Sequence, residues 1–567
     1  MKNKTGLLLL AGITVFSTLS SSGQNAPVPA QEKMMLHHET LGDKYLPNAY
    51  DNQRTSPAYK YRSSGAVKTM SSISTIFTTQ VNVNSGGQNI VGDAANEPGI
   101  ALNPLDANKI VIGWRQFDNV SSNFRQAGWS FTSDAGQTWT FPGVIEQGIF
   151  RSDPVLDYDS SGNFYYNSLT ITPDYFCKVF KSTNGGATWD GGTNAQGGDK
   201  QWMAIDRTAG AGSGNIYSFW SLAYSTCQPD FFTRSTNGNS SYENCTAVDG
   251  NPFWGTMAID NSGNLYIAGA VQFAGIVVCK SLNAQIAASV ISWNPDVWVD
   301  MDGYLDSGPN VNPGGLMGQA NIDVDRSNGA GQDNVYVLAP VVRFSVFDPG
   351  DIMFARSTDG GLTWSSPIRI NDDGSTLNTQ WFGTLSVAPN GRIDAVWLDT
   401  RDNPGSDWSA LYYSYSTDQG NTWSANEMMS ASFDPHVGYP NQNKMGDYFD
   451  MISLNSGAHL AWANTLNGEQ DVYYSHIVPP VATTVDVIAN SISVSVYPNP
   501  TDGIFSVRSG EMLSHIEIMN VLGEKIFSIP VSNFKSEINI TTQPSGIYFM
   551  KIVYQDGRVV VRKIIMK

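Results

Sequence analysis

The chain has 567 residues, a net charge of −18 and only 15% charged residues, against 54 Gly, 24 Tyr and 15 Trp. So acidic a protein is not built for nucleic acid or an anionic membrane, because phosphate binding needs clustered Lys and Arg. A turn-rich, aromatic-rich, charge-poor composition points to an exported all-β protein, long enough for more than one domain.

The first element is an export signal at 1–23. Lys2 and Lys4 precede the apolar run Leu7 to Phe16, and Ser20-Ser21-Ser22-Gly23 supplies small residues for cleavage. That run is short for a membrane span, and no later stretch reads as transmembrane. Residues 24–75 are polar and without period, which predicts a loosely ordered extension.

From 76 to 478 the chain repeats itself. Thr132-Ser133-Asp134-Ala135-Gly136-Gln137-Thr138-Trp139 returns as Ser357 to Trp364 and Ser416 to Trp423. Asn184 replaces the Asp in Ser182 to Trp189, and a worn copy runs from Ser235 to Tyr242. Each reads as a hairpin turn: Asp or Asn accepts from nearby backbone amides, Gly takes positive φ, and Thr-Trp restarts a strand. A second unit, two apolar strands around an Asp/Asn-Gly turn, begins near Ala101, Val155, Met203, Met257, Asn321, Leu385 and Met451. A repeat of roughly 50 residues predicts a blade-by-blade array of small antiparallel sheets. Seven units favour seven blades, with six possible if one unit is an insertion. Of the four cysteines, Cys227 and Cys245 flank the worn turn and are expected to pair, leaving Cys177 and Cys279 as buried thiols.

The octapeptide resembles the Asp-box (BNR repeat) of the sialidase superfamily, over about Phe77 to Ile477. The resemblance implies a β-propeller with the boxes on outer hairpins, away from any active site, so the box carboxylates are expected to be structural. In such a fold the residues before each innermost strand, and those after the next strand, form the channel mouth. There the sequence offers Arg115, Arg151, Arg343 and Arg401 as candidate substrate clamps, with Trp202 and Trp381 as stacking faces. Asp153, Glu97, Tyr448 and Asp447 are candidate catalytic groups. The family's N-terminal Arg-Ile-Pro motif is missing, and Asn96-Glu97-Pro98-Gly99-Ile100 stands in its place. No metal or cofactor is expected.

After a linker at 479–492, residues 493–567 alternate with period two around Gly, Pro and Asp turns, predicting a small Ig-like β-sandwich. Tyr497-Pro498-Asn499-Pro500, Leu522-Gly523, Ser545-Gly546-Ile547-Tyr548 and the basic end resemble the type A C-terminal sorting domain of the Bacteroidetes type IX secretion system. That resemblance implies passage across the outer membrane, with release or surface attachment, and the secretion machinery as a partner. The expected function is a secreted, sialidase-like glycoside hydrolase acting on extracellular glycans or glycoproteins. The alternative is a non-catalytic, adhesive propeller that binds glycan or protein.

Overall fold

The structure is a computed structural model that describes residues 44–49, 54–63, 73–171, 175–271, 275–480, 494–555 and 559–567. The export signal expected at 1–23, most of the 24–75 extension and nearly all of the linker lie outside these residues. The chain divides into two units, Met1–Pro480 and Val481–Lys567.

Among the described residues the first unit holds seven antiparallel sheets of three or more strands in chain order, which we number as blades 1 to 7. Their innermost strands are Ala94–Leu102, Ser152–Tyr158, Trp202–Ile205, Met257–Ile259, Asn321–Val324, Gln380–Val387 and Asp450–Leu454. Each innermost strand packs against the next, and the seventh returns to the first, so the sheets form a closed seven-bladed propeller. The strands are almost wholly buried and rich in Ile, Val and aromatics, with core clusters lying between neighbouring blades. Blade 7 is completed from the other end of the unit: Thr75–Gln80 pairs with Asp471–Val478, running from Thr75 opposite Val478 to Gln80 opposite Tyr473. Lys60–Arg62, within the expected extension, adds one more strand outside it, and Thr55–Ser56 pairs with Asn89–Ile90.

The octapeptides sit after the third strand of their blades, and their hydrogen bonds explain their composition. In blade 5 the Asp359 carboxylate accepts from Thr363 N at 2.9 Å, Thr363 Oγ1 at 2.5 Å and Ser357 Oγ at 2.7 Å. Asp134 and Asp418 repeat the pattern. The closing Trp reaches back to the preceding blade: Trp139 lies 5.4 Å from Tyr474 and Trp423 lies 5.1 Å from Phe354, between ring centroids. The repeat therefore fastens one blade to the last as well as turning the chain. Gly136 (φ 83°) stands where a Cβ would enter the Tyr474 ring, so this turn needs glycine for both conformation and space. Cys227 and Cys245 are disulfide-bonded with a Cα separation of 6.1 Å, and Cys177 and Cys279 are buried free thiols.

The second unit is a β-sandwich built on two long strands, Ile504–Met519 and Lys525–Asn539. Ile504–Met519 shifts register between Arg508 and Leu513, so its first half pairs with Val494–Tyr497 and its second with Gly546–Tyr554. Leu513, Ile516, Ile518, Met550, Ile552 and Ile564 fill its core.

Candidate functional site

At or close to the start of each innermost strand lies a residue at positive φ: Glu97 (50°), Asp153 (45°), Lys200 (58°), Trp254 (52°), Gly318 (145°), Phe382 (53°) and Gly446 (98°). Five of these are not glycine, and non-Gly residues held there cost of order 1–3 kcal/mol each unless their surroundings impose the conformation. The register shift between Asn96 and Gly99, and that between Trp381 and Thr384, mark the bulges that turn the backbone here. Blades 7, 1, 2 and 3 place charge at this level; blades 4, 5 and 6 place Trp254, Gly318 and Phe382.

The charged half is one connected cluster. Lys200 Nζ lies 2.6 Å from Asp447, 3.7 Å from Asp153 and 3.8 Å from Asp199. Lys444 Nζ bridges Asp447 at 2.7 Å and Glu97 at 3.2 Å, and Arg115 Nε meets Glu97 at 3.1 Å. All of these side chains are at most 5% exposed. Burial pushes Glu97 up to about 8 against the pull of Arg115 and Lys444, and pushes Asp199 up to about 7 against Lys200. Burial works the same way on Asp447, but Lys200 and Lys444 overcome it and hold that carboxyl well below its ordinary range. Lys200 outweighs burial at Asp153, which is also lowered. One cluster thus holds a carboxyl that resists ionising beside others that stay charged.

The loops leave this cluster closed. Leu316 N donates to Asp447 Oδ1 at 2.9 Å, Asn312 Nδ2 donates to Gly446 O at 2.8 Å, and Gly314 N donates to Asn443 O at 2.9 Å. The segment entering blade 5 is thereby bound to the segment entering blade 7. Gly446 lies so near Glu97 that a Cβ there would fall 2.6 Å from Glu97 Cγ. Below, the channel widens into a cavity of about 340 Å³ whose lining includes Trp202, Asp157, Asp323 and Asp450. Its polar groups tie blades together. Asp157 accepts from Ile205 N (2.7 Å), Asp323 from Val387 N (2.8 Å) and Asp450 from Ile100 N (2.9 Å).

The structure brings five of the ten candidate side chains to one place: Glu97, Asp153, Asp447, Tyr448 and Arg115. Tyr448 is buried, donates to Pro154 O at 2.9 Å and meets Trp202 edge-on at 5.4 Å. Burial and the neighbouring Glu97 push its hydroxyl well above the ordinary tyrosine range. The other arginines stand apart. Arg151 pairs with Glu146, Arg343 with Asp302 at 2.7 Å, and Arg401 with Asp399 at 2.8 Å. Trp381 is buried in the core, donating to Ser409 Oγ at 3.0 Å. Asp199 and Lys200 stand at the mouth by their place before an innermost strand but are not among the candidates, and Lys444 joins the cluster besides them. Nothing local marks Lys444.

Residues 495–567 match the family model described as a secretion system C-terminal sorting domain. The protein is therefore a type IX secretion cargo, released or held at the cell surface, and among the described residues no helix is long and apolar enough to cross a membrane. No curated protein matches the chain. Among solved structures, a protein of unknown function from Dyadobacter fermentans is 13% identical with a TM-score of 0.40, covering 71% of this chain and 98% of that one. A PL25 ulvan lyase is 9% identical, with a TM-score of 0.44 and coverage of 68% and 93%. A Hadza microbial sialidase is 11% identical, with a TM-score of 0.35 and coverage of 68% and 66%. Likenesses this distant assign no activity.

Proposed function

We propose that the protein is an exported propeller that acts on extracellular glycan or glycoprotein by binding it. The observation that supports binding over hydrolysis is the closed channel mouth. Glu97, Asp153, Asp199 and Asp447 are buried and compensated by Arg115, Lys200 and Lys444, with loops bonded across them. A glycosidase needs two carboxyl groups about 5–9.5 Å apart with a sugar between them. Here Glu97 and Asp447 share the ammonium of Lys444, at 3.2 and 2.7 Å, which leaves no room for a ring. Glycan is the ligand class because the protein is exported and its exposed loops carry flat aromatics beside hydrogen-bonding charges, the combination that sugars use.

A second reading, glycoside hydrolysis, draws on one feature. Glu97 is pushed up to about 8 while Asp447 is held low, and such a split pair is how acid and base roles are divided. It requires the 308–317 and 440–447 segments to part. Incubating the full-length protein with a panel of fluorogenic glycosides, sialosides included, and in parallel measuring its binding to immobilised glycans decides between the two. Binding without turnover is expected. Turnover that disappears in Glu97→Gln overturns the binding-only reading in favour of hydrolysis.

A further inference from the structure

Two arginines expected at the mouth meet elsewhere, through a third. At the strand ends of blades 5 and 6, Arg343 lies 3.1 Å from Asp351, which accepts from Arg369 Nε at 2.6 Å. Arg369 continues to Asp373 at 2.9 Å, and Asp373 lies 3.7 Å from Arg401. Arg401 ends the ladder on Asp399 and on Asp372, at 2.6 Å from the latter. Unlike the mouth, this ladder reaches solvent: the three arginine side chains are 13–26% exposed and Asp372 is 51% exposed.

Aromatic faces border it. Phe344 and Phe347 lie on the loop between Arg343 and Asp351 and are 61% and 89% exposed. Phe344 stacks on Tyr304 at 5.7 Å and 30°, which fixes its ring. Trp408, 45% exposed, is on the loop that starts at Arg401. Large aromatics held at a surface beside a rigid polar network form a recognition face rather than chance exposure.

The donors and acceptors identify what fits. Every guanidinium nitrogen of the ladder already donates within the protein. Arg343 donates to Asp302, Asp351 and Ser345, Arg369 to Asp351 and Asp373, and Arg401 to Asp399, Asp372 and Asn426. Each arginine keeps at most one further N–H, so none is left with the two parallel donors that clamp a carboxylate or sulfate. Carboxylates outnumber the three arginines: Asp302, Asp351, Asp372, Asp373 and Asp399 are in the ladder and Asp348 adjoins it. Burial, and after it the charges of Asp351 and Asp373, push Asp348 up to about 6, as expected beside an excess of negative charge. What remains exposed is carboxylate lone pairs next to aromatic faces. These suit the hydroxyl donors and C–H faces of an uncharged sugar and repel a polyanion.

We propose that the outer edge of blades 5 and 6, from Tyr304 to Trp408 across the Arg343–Arg369–Arg401 ladder, binds a neutral, hydroxyl-rich glycan. This rests on the binding reading above and gives it a site and a ligand class. The test places the full-length protein on immobilised neutral gluco-, manno- and xylo-oligosaccharides and on sulfated and uronate-bearing chains. It compares wild type with Phe344→Ala/Phe347→Ala, with Phe347→Ala alone, and with Trp298→Ala, an exposed aromatic on blade 4. The expected result is binding to a neutral chain that weakens at least ten-fold in the double variant at unchanged melting temperature, and holds in Trp298→Ala. Phe347→Ala, altering a side chain 89% exposed, gives the same direction of loss without any question of folding. Unchanged binding in both Phe variants overturns this site and leaves the glycan reading standing. Preference for the sulfated or uronate chains overturns the neutral class. Absence of binding to every glycan by the wild type overturns the glycan reading itself.

Discussion

Aspartates do two different jobs in this propeller. At the octapeptide turns Asp359 is exposed and takes its hydrogen bonds from within four residues, and those bonds lower its pKa to about 2. At the channel mouth Asp447 is wholly buried, and besides Lys444, three residues before it, its partners Lys200 and Leu316 come from other blades. Local carboxylates shape a hairpin whose loss the rest of the fold can tolerate. Convergent ones carry charge into a low-dielectric interior, where each depends on every other.

The largest effect expected from this contrast is at Lys200. Lys200→Met leaves Asp447, Asp153 and Asp199 without their shared cation, and should destabilise the propeller by about 3–5 kcal/mol in urea unfolding. An unchanged midpoint would mean that the cluster is open to water and the contrast false. Gly136→Ala comes next. It sets a Cβ into the Tyr474 ring and strains a positive φ, for a loss of about 2 kcal/mol, whereas Gly143→Ala (φ 121°), with no atom near, loses only the conformational part. Equal losses would show that the turn does not fasten blade 1 to blade 7. The smallest stability effect is Asp359→Ala, about 1 kcal/mol, because its bonds are solvent-exposed.

Acid and base sharpen the same contrast. Glu97 has a folded pKa raised from 4.5 to about 8, so its contribution is fully present below about 4.5 and is lost as pH rises towards 8. Thermal scans from pH 5 to 8 should show a falling wild-type midpoint and a flatter Glu97→Gln. Asp359, lowered from 3.8 to about 2, contributes above about 4 and loses that contribution as pH falls towards 2. Asp359→Ala should therefore differ from wild type least at the acid end. The two profiles slope in opposite directions, and parallel slopes would break the comparison.

The turns were legible in the sequence because their chemistry is local. Asp, Gly, Thr and Trp at fixed offsets in the octapeptide specify the hydrogen bonds, the positive φ and the packing ring. Blade number was legible for the same reason, through the apolar hairpins beginning at Ala101, Val155 and their relatives. The mouth was half legible. Glu97, Arg115, Asp153, Asp447 and Tyr448 were placed by their position before or after an inner strand. Lys444 was not, because it meets Glu97 only once the ring closes. Arg343 and Arg401 looked like neighbours of the channel, yet a strand end says nothing about which carboxylate a long side chain will reach. Arg369, which joins them, closes a short fourth strand that carries no repeat signal.

The pairing of Thr75–Gln80 with Asp471–Val478 also sets an order of events. A chain emerging N-terminus first can zip each hairpin of blades 1 to 6 as it appears, but Thr75–Gln80 has only the short Lys60–Arg62 strand on one side, and its other edge stays open until residue 471 arrives. During that interval the nascent protein carries an open sheet edge, the feature most prone to wrong association, and the closing contact is the most distant in the chain. The sorting domain begins shortly after Val478. A chain that has displayed its address label has therefore already delivered the strand needed to shut the ring. The address follows the strand that closes the ring.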